Sequence, residues 1–230
     1  MLLQNLRNAF ELQQFFLTYQ PQIDLASGQP AGFEALLRWR ASDGALIPPD
    51  RFIPVAESSG LIVPLGEWVL RSALEAQRQL LAASRRRLRM AVNVSVAQLS
   101  QPGFLAMLDK ALADCSADPT LVEIEITESS AVLGITPLVA LLHEIKQRGI
   151  LLAIDDFGTG YSSLSYLDQL PVDRIKIDRA FVSPLDSPDR RSRIVDLVIP
   201  MGHSIGMKVI AEGVETAEQA DILRSLGCDE

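Results

Sequence analysis

The segment ILLAIDDFGTG, residues 150–160, decides the fold, because its apolar run ends abruptly in two acids and a glycine-containing loop. Other apolar runs of the chain end or are interrupted in the same way. They are EALLRW from Glu34, MAVNVS through Asn93, VEIEITE through Glu125 and Glu128, RIKID around Lys176, and VIAEGVE through Glu212. Such residues are uncommon in strands and costly to bury, so their repetition predicts a site for multivalent cations.

Strand-like and helix-like segments alternate along the chain, which is typical of α/β folds with a parallel sheet. Periodicity predicts seven strands, at residues 15–23, 32–39, 88–94, 121–126, 150–154, 174–177 and 208–211. It predicts helices at residues 65–83, 104–113, 137–148, 162–169, 190–205 and 217–226.

The topology that fits this order best is a (β/α)8 TIM-like barrel. Residues 24–30 are too few for a crossover helix, so the first strand should run antiparallel to the second. In a barrel the carboxyl ends of the strands meet on one face, whereas an open doubly wound sheet spreads them along a wider edge. Since the chain stops at Glu230, where an eighth strand is expected, we expect 1–230 to be a single domain trimmed at its C-terminal end.

Composition excludes several classes of function. A formal charge of −8 and a pI near 4.9 argue against binding a nucleic-acid polymer, which needs clustered Lys and Arg. Two distant cysteines, Cys115 and Cys228, indicate neither a disulfide framework nor a zinc site, and they fit a reducing cytosol. No run reaches the ~18 apolar residues of a membrane span, so no membrane contact is expected of this domain, although a longer parent protein can be anchored elsewhere.

The residues at the strand ends predict which ion binds. Glu34, Asn93, Glu125 and Asp155 come from separate strands and offer only oxygen ligands. This chemistry selects Mg²⁺, Mn²⁺ or Ca²⁺ over Zn²⁺.

The adjacent acids Asp155 and Asp156 indicate a second ion. Neighbours on an extended strand point to opposite faces, so we expect the strand to have ended and Asp156 to turn inward from the glycine loop. One carboxylate can then bridge two ions. Two divalent ions about 4 Å apart are the usual clamp for in-line displacement at phosphorus.

The residues around RIKID and AEGVET predict the remaining chemistry. Lys176 lies in a short apolar strand, and a buried ammonium must pair with carboxylates; there it can polarise the attacking water or balance phosphate charge. Asp178 lies on the same side, where it can contact a guanine base or fix the lysine. Glu212 is placed for metal ligation or proton transfer, and Glu215 is interpreted as a loop or helix-start carboxylate.

With EALLRW, NVS, EITE, DDFGTGYSSLSYL, KID and AEGVET in that order, the chain resembles the EAL domain, the bacterial cyclic-di-GMP phosphodiesterase family. The resemblance implies a barrel with an antiparallel first strand. It also implies hydrolysis of one phosphodiester bond of cyclic di-GMP to linear 5′-pGpG, which lowers this second messenger in bacterial signalling. Two ions, Mg²⁺ or Mn²⁺, are implied as cofactors, and Ca²⁺ is expected to occupy the site without supporting catalysis.

The resemblance also implies a role for each motif residue. The implied metal ligands are Glu34, Asn93, Glu125, Asp155, Asp156 and Glu212. The implied water-activating pair is Lys176 with Glu212, the substrate contacts are Gln20, Leu36, Arg38 and Asp178, and the loop-stabilising residues are Glu128 and Glu215.

The resemblance further implies a homodimer through helices near the DDFGTG loop and additional signalling domains in the parent protein. A catalytically inactive module that senses cyclic di-GMP is the alternative function. Spacing alone also allows an enolase-like barrel, in which carboxylates hold Mg²⁺ and a lysine abstracts a proton from carbon.

Overall fold

A computed structural model describes residues 2–128, 135–159, 167, 169–185 and 193–230. The chain divides into two compact units. The first unit is Met1–Pro21 with Gly32–Val122, and the second is Gln22–Ala31 with Glu123–Glu230.

The described elements alternate between strands and helices. The strands are β1 (Phe15–Asp24), β2 (Gln29–Arg40), β3 (Leu46–Ile47), β4 (Arg89–Asn93), β5 (Val122–Thr127), β6 (Leu151–Phe157), β7 (Arg174–Ile177) and β8 (Lys208–Ala211). The helices are α1 (Leu2–Glu11), α2 (Pro49–Ser58), α3 (Ile62–Ser84), α4 (Val96–Leu99), α5 (Phe104–Cys115), α6 (Ile135–Gln147), α7 (Arg179–Val182), α8 (Arg193–Ser204) and α9 (Ala217–Ser225).

Strands β1 and β2 form a hairpin whose strand segments up to Pro21 and from Gly32 belong to the first unit, while its turn belongs to the second. These strands are neighbours, and the four residues 25–28 between them allow only an antiparallel turn. On its other side β2 pairs in parallel with β4, where Glu34 lies opposite Ala91. An aromatic cluster packs the first unit, with the Trp39 ring 5.7 Å from that of Phe15 and 5.5 Å from that of Phe52.

The second unit is built on the parallel strands β5, β6, β7 and β8 in that order. Its strands are buried on both faces, as parallel strands covered by helices usually are, but one face of β5 and of β7 carries charged side chains. Helix α6 is fixed to the sheet through Asp173, whose two carboxylate oxygens each lie 2.7 Å from Nζ of Lys146. The same carboxylate accepts a hydrogen bond from the backbone N–H of Leu152 over 2.8 Å. Because these four strands run parallel, their carboxyl ends lie at one edge of the sheet.

The predicted fold class is confirmed in its α/β alternation, its parallel strands and its antiparallel first strand. All seven predicted strands are present. Helix α2 is absent from the predicted helices, and its prolines Pro48, Pro49 and Pro54 are residues typical of loops, yet Pro49 occupies the first helical position, where its missing N–H costs little. Helices α1, α4 and α7 are likewise absent from the helices that periodicity predicts. The helix predicted at 162–169 lies outside the described residues except at 167 and 169.

Among the described residues, no helix combines the length and the apolar character needed to cross a membrane.

Gly66→Ala is expected to lower the free energy of unfolding by about 1–3 kcal/mol. Alanine normally favours a helix interior by about 1 kcal/mol over glycine, but here its Cβ would lie 1.8 Å from Nε2 of Gln98. Gln98 is buried, and its Oε1 accepts hydrogen bonds from Ser95, so it has little room to shift. Urea unfolding measures the effect. In a Gln98→Ala background the substitution should be neutral or stabilising, and stabilisation in the wild type would contradict this packing.

Candidate functional site

Lys176 is the centre of the candidate site. Its side chain is 1% exposed, and its Nζ lies 2.7 Å from Oε2 of Glu125, 3.1 Å from Oδ1 of Asp155 and 2.6 Å from Oε1 of Glu212. An ammonium has three N–H donors, so each can point at one carboxylate. The prediction that the buried lysine pairs with acids is confirmed, and an outward-facing lysine is excluded.

The sheet explains why these groups meet. Glu125 on β5 lies opposite Ala153 of β6, and Lys176 lies opposite Ile210 of β8. Glu212 directly follows β8, and its backbone N–H donates to the carbonyl of Ile177 over 3.0 Å. This hydrogen bond extends the pairing of β8 with β7 by one residue and brings the Glu212 carboxylate to the ammonium.

Asp155 and Asp156 lie in a β-bulge, and here the sequence-based prediction was wrong in its reason. Strand β6 does not end before them but continues to Phe157. Its pairing with β7 shifts between Ile154 and Phe157, so one extra residue is accommodated, and Asp156 adopts a left-handed φ of 55°. Bulges re-aim side chains in this manner, whereas a regular strand would send neighbours to opposite faces.

The bulge gives a cluster that suits a divalent cation. Asp155, Asp156 and Glu212 each offer a carboxylate oxygen, and these atoms all lie within 4.8 Å of one another. Glu125, Asp155 and Glu212 contact the Lys176 ammonium, and Asp156 lies beside the last two, so these four carboxylates and one ammonium carry a formal charge of −3. Hard oxygen donors with excess negative charge fit Mg²⁺, Mn²⁺ or Ca²⁺.

Glu128 contacts the loop that follows the bulge. Its Oε2 accepts a hydrogen bond from the backbone N–H of Gly158 over 2.7 Å, and the side chain is 4% exposed. A charged acceptor strengthens this bond. The contact is the geometry expected of a loop-stabilising residue, and it leaves Glu128 outside the acid cluster just described.

Two of the predicted metal ligands, Glu34 and Asn93, lie in the first unit. Glu34 is buried in β2, and its Oε1 accepts a hydrogen bond from Nδ2 of Asn93 at the end of β4 over 2.7 Å. The parallel pairing of β2 with β4 explains why the two side chains meet. A ligating role for either residue stays a prediction.

The predicted substrate contacts occupy varied positions. Gln20 is exposed on β1, while Leu36 and Arg38 are half-buried and share one face of β2 with Glu34 by strand alternation. Asp178 caps α7, since its Oδ1 accepts from the backbone N–H of Ala180 over 2.9 Å.

Glu215, the second predicted loop-stabilising residue, has an exposed side chain. Its backbone N–H donates to Oε1 of Gln219 over 2.7 Å at the start of α9. The position fits the interpretation as a residue near a helix start, and a stabilising effect on a loop stays a prediction.

Sequence reasoning missed a second ionic layer on the same strands. Nη1 of Arg174 lies 2.8 Å from Oε2 of Glu123, and Nη2 lies 3.7 Å from Oε1 of Glu230. The alternation in VEIEIT and RIKI contained the signal, because residues two apart share a face: Glu123 accompanies Glu125, and Arg174 accompanies Lys176.

Thiol chemistry is excluded at Cys228. Burial raises the pKa of this thiol to about 12, and its Sγ donates to the carbonyl of Val209. The group is therefore protonated at neutral pH and is a poor nucleophile.

The fold and the acid cluster define the class of this protein as an α/β domain with a carboxylate-rich site at the carboxyl ends of parallel strands. The family model for the EAL domain matches residues 3–230. The chain belongs to the EAL domain family.

Curated relatives agree with this assignment. The chain is 40% identical over 228 residues to the bifunctional diguanylate cyclase/cyclic di-GMP phosphodiesterase MucR of Pseudomonas aeruginosa. The matched region covers 99% of this chain and 33% of MucR. It is 40% identical over 226 residues to the cyclic di-GMP phosphodiesterase NbdA of the same organism, covering 98% of this chain and 29% of NbdA. The chain thus spans about a third of the length of these relatives.

Solved structures agree on the fold. A structure of the MucR phosphodiesterase in complex with c-di-GMP has a TM-score of 0.93 at 40% identity, over 99% of this chain and 92% of that one. The FimX EAL domain of Pseudomonas aeruginosa bound to c-di-GMP has a TM-score of 0.88 at 27% identity, over 99% and 91%. These matches confirm the TIM-like fold of the EAL family for this chain.

Glu128→Ala is expected to lower kcat by about tenfold, because the N–H of Gly158 loses its charged acceptor and the bulge next to it loosens. Glu128→Gln keeps an acceptor oxygen and should retain most of the activity. Steady-state kinetics and hydrogen exchange of the peptide 155–159 measure both effects. Unchanged rates and unchanged exchange in Glu128→Ala would exclude the loop-stabilising role.

Proposed function

We propose that this chain is a catalytically competent EAL domain that hydrolyses cyclic di-GMP to linear 5′-pGpG with divalent cations, and that residues 1–230 form one such domain. The observation that carries the proposal is the contact of the Lys176 ammonium with the carboxylates of Glu125, Asp155 and Glu212. Asp155 and Glu212 also form the carboxylate cluster with Asp156. The similarity of the chain to the cyclic di-GMP phosphodiesterases MucR and NbdA supports it.

The proposed cofactors are two ions, Mg²⁺ or Mn²⁺, with Ca²⁺ as a non-productive occupant. When bound, such ions polarise the phosphodiester and lower the pKa of a water ligand. The proposed ligands are Glu34, Asn93, Glu125, Asp155, Asp156 and Glu212. For those in the second unit the support is geometric, and for Glu34 and Asn93 it is their motif positions.

The chain's own residues supply the rest of the chemistry. We propose that Glu212 accepts the proton of the attacking water, since its carboxylate is partly exposed at the cluster. The Lys176 ammonium, 2.6 Å from that carboxylate, stabilises its charged form and fixes its direction. The proposed substrate contacts are Gln20, Leu36, Arg38 and Asp178.

The proposed partners are cyclic di-GMP, a second copy of the chain and further signalling domains in the parent protein. The greater length of MucR and NbdA supports the last of these. Two free cysteines, Cys115 and Cys228, support a cytoplasmic, reducing location.

Product analysis tests the proposal. The chain is incubated with Mg²⁺ and cyclic di-GMP, and the nucleotides are separated by chromatography, with chelator as the control. We expect pGpG to accumulate only with the ion present. Tight binding of cyclic di-GMP without any product would instead support the inactive sensor.

A further inference from the structure

Helix α7, Arg179–Val182, is a short element to which the proposed reaction assigns no role. It follows β7 directly and begins at Asp178, whose carboxylate caps the backbone N–H of Ala180. Val182 is fully buried and anchors the helix in the second unit. The cap at Asp178 and the burial of Val182 hold the helix in place, and its other side chains are positioned by it.

The ring of Phe181 packs against Gly158, the glycine two residues after Asp156. A Cβ built on Gly158 would lie 2.7 Å from Cε2 of Phe181, closer than real carbon contacts, so the ring covers the position that a side chain would occupy. Gly158 has a φ of +99°, which side-chain-bearing residues rarely adopt. The contact thus requires glycine for space as well as for conformation.

A second contact of the same helix lies beside Glu212. The Cβ of Arg179 would be 2.5 Å from a Cβ built on Gly213, which has a φ of +70°. Helix α7 therefore packs against Gly158, which directly follows β6, and against Gly213, which directly follows Glu212.

Gly158 is held from another direction by Glu128, whose carboxylate accepts its backbone N–H over 2.7 Å. One contact is polar and the other is steric, and together they define where the chain leaves the bulge. Asp156 lies inside that bulge with its φ of 55°, a conformation that is uncommon for a residue with a side chain and needs support from its surroundings.

We propose that Phe181 is a positioning residue for the metal-binding acids: its ring fixes Gly158 and thereby holds the bulge that aims Asp155 and Asp156 into one cluster. The residue acts through the loop and has no assigned contact with substrate. This inference rests on the proposed metal-dependent hydrolysis.

Phe181→Ala in the full chain tests the role. We expect Mn²⁺ affinity, measured by calorimetry, to fall about tenfold, and kcat to fall by a similar factor while KM changes by less than about threefold. In the absence of metal, hydrogen exchange in the peptide 155–159 should become faster. Phe181→Leu keeps a bulky apolar contact and should restore most of each loss.

Phe10→Ala is the matched control, because Phe10 is a 42% exposed phenylalanine of α1 in the first unit. It should leave Mn²⁺ affinity and exchange in 155–159 unchanged. Equal losses in Phe10→Ala and Phe181→Ala would overturn the positioning role. Wild-type Mn²⁺ affinity and exchange in Phe181→Ala would overturn it as well.

Gly158→Ala separates the contact from general instability. Its Cβ meets the Phe181 ring, so it should weaken Mn²⁺ binding more in the wild type than in a Phe181→Ala background. Equal losses in both backgrounds would overturn the inference. If the wild type binds Mn²⁺ in a Phe181-dependent way but yields no pGpG, the positioning role stands and the proposed function fails.

Discussion

Lys176→Met is expected to lower kcat for cyclic di-GMP hydrolysis by about 10²–10⁴-fold, the usual range for loss of a group that takes part in proton transfer. Methionine has a similar length but no charge, so the carboxylate of Glu212 loses the ammonium that lies 2.6 Å away. KM should change much less, because the proposed role of the lysine concerns the attacking water. Steady-state kinetics at saturating Mg²⁺ measures both constants.

The same substitution has a second expected effect, on stability. Removing one partner from a buried ionic group typically costs about 3–5 kcal/mol, and Glu125 on the other side of Lys176 is fully buried. Urea unfolding without metal should show this loss, and added Mn²⁺ should reverse part of it. Lys208→Met, at an exposed lysine of β8, is the control. A change in KM with kcat preserved would reassign Lys176 to substrate binding.

Asp156→Asn is expected to weaken Mn²⁺ binding by on the order of 10²-fold, because the cluster with Asp155 and Glu212 loses one of its negative charges. Asparagine tolerates the left-handed backbone nearly as well as aspartate, so the bulge should persist. The substitution therefore separates the charge of the ligand from the conformation of the loop. Calorimetric titration with Mn²⁺ measures the affinity.

The control for this change is Asp221→Asn, which removes an exposed carboxylate of α9 in the same unit. It should bind Mn²⁺ like the wild type. Hydrogen exchange in 155–159 should also be unchanged in metal-free Asp156→Asn. Wild-type affinity in that variant would remove Asp156 from the proposed ligand set.

Much of the fold could be predicted from the sequence, because apolar runs mark the strands and turn residues mark where they end. The seven strands follow from such runs, and the short 25–28 connection dictates the hairpin. Helix α2 could not be found in this way, since prolines indicate both loops and helix starts. The four-residue α7 was too short to show a helical period.

The candidate site was predictable in its residue types but less so in its geometry. A buried lysine in an apolar strand implied carboxylate partners, and the structure supplies them. The bulge at Asp155 was not predictable, because it arises from the pairing of β6 with β7 and leaves no mark in local composition. The packing of Phe181 on Gly158 likewise depends on tertiary contact.

The most direct test of the account is a turnover of cyclic di-GMP in water enriched in oxygen-18, with the products analysed by mass spectrometry. The account predicts linear pGpG with heavy oxygen in its 5′-phosphate, formed with Mg²⁺ or Mn²⁺ by the wild type and strongly reduced in Lys176→Met. Bound but uncleaved cyclic di-GMP, or a linear product without the label, would contradict metal-dependent attack by water at the acid cluster.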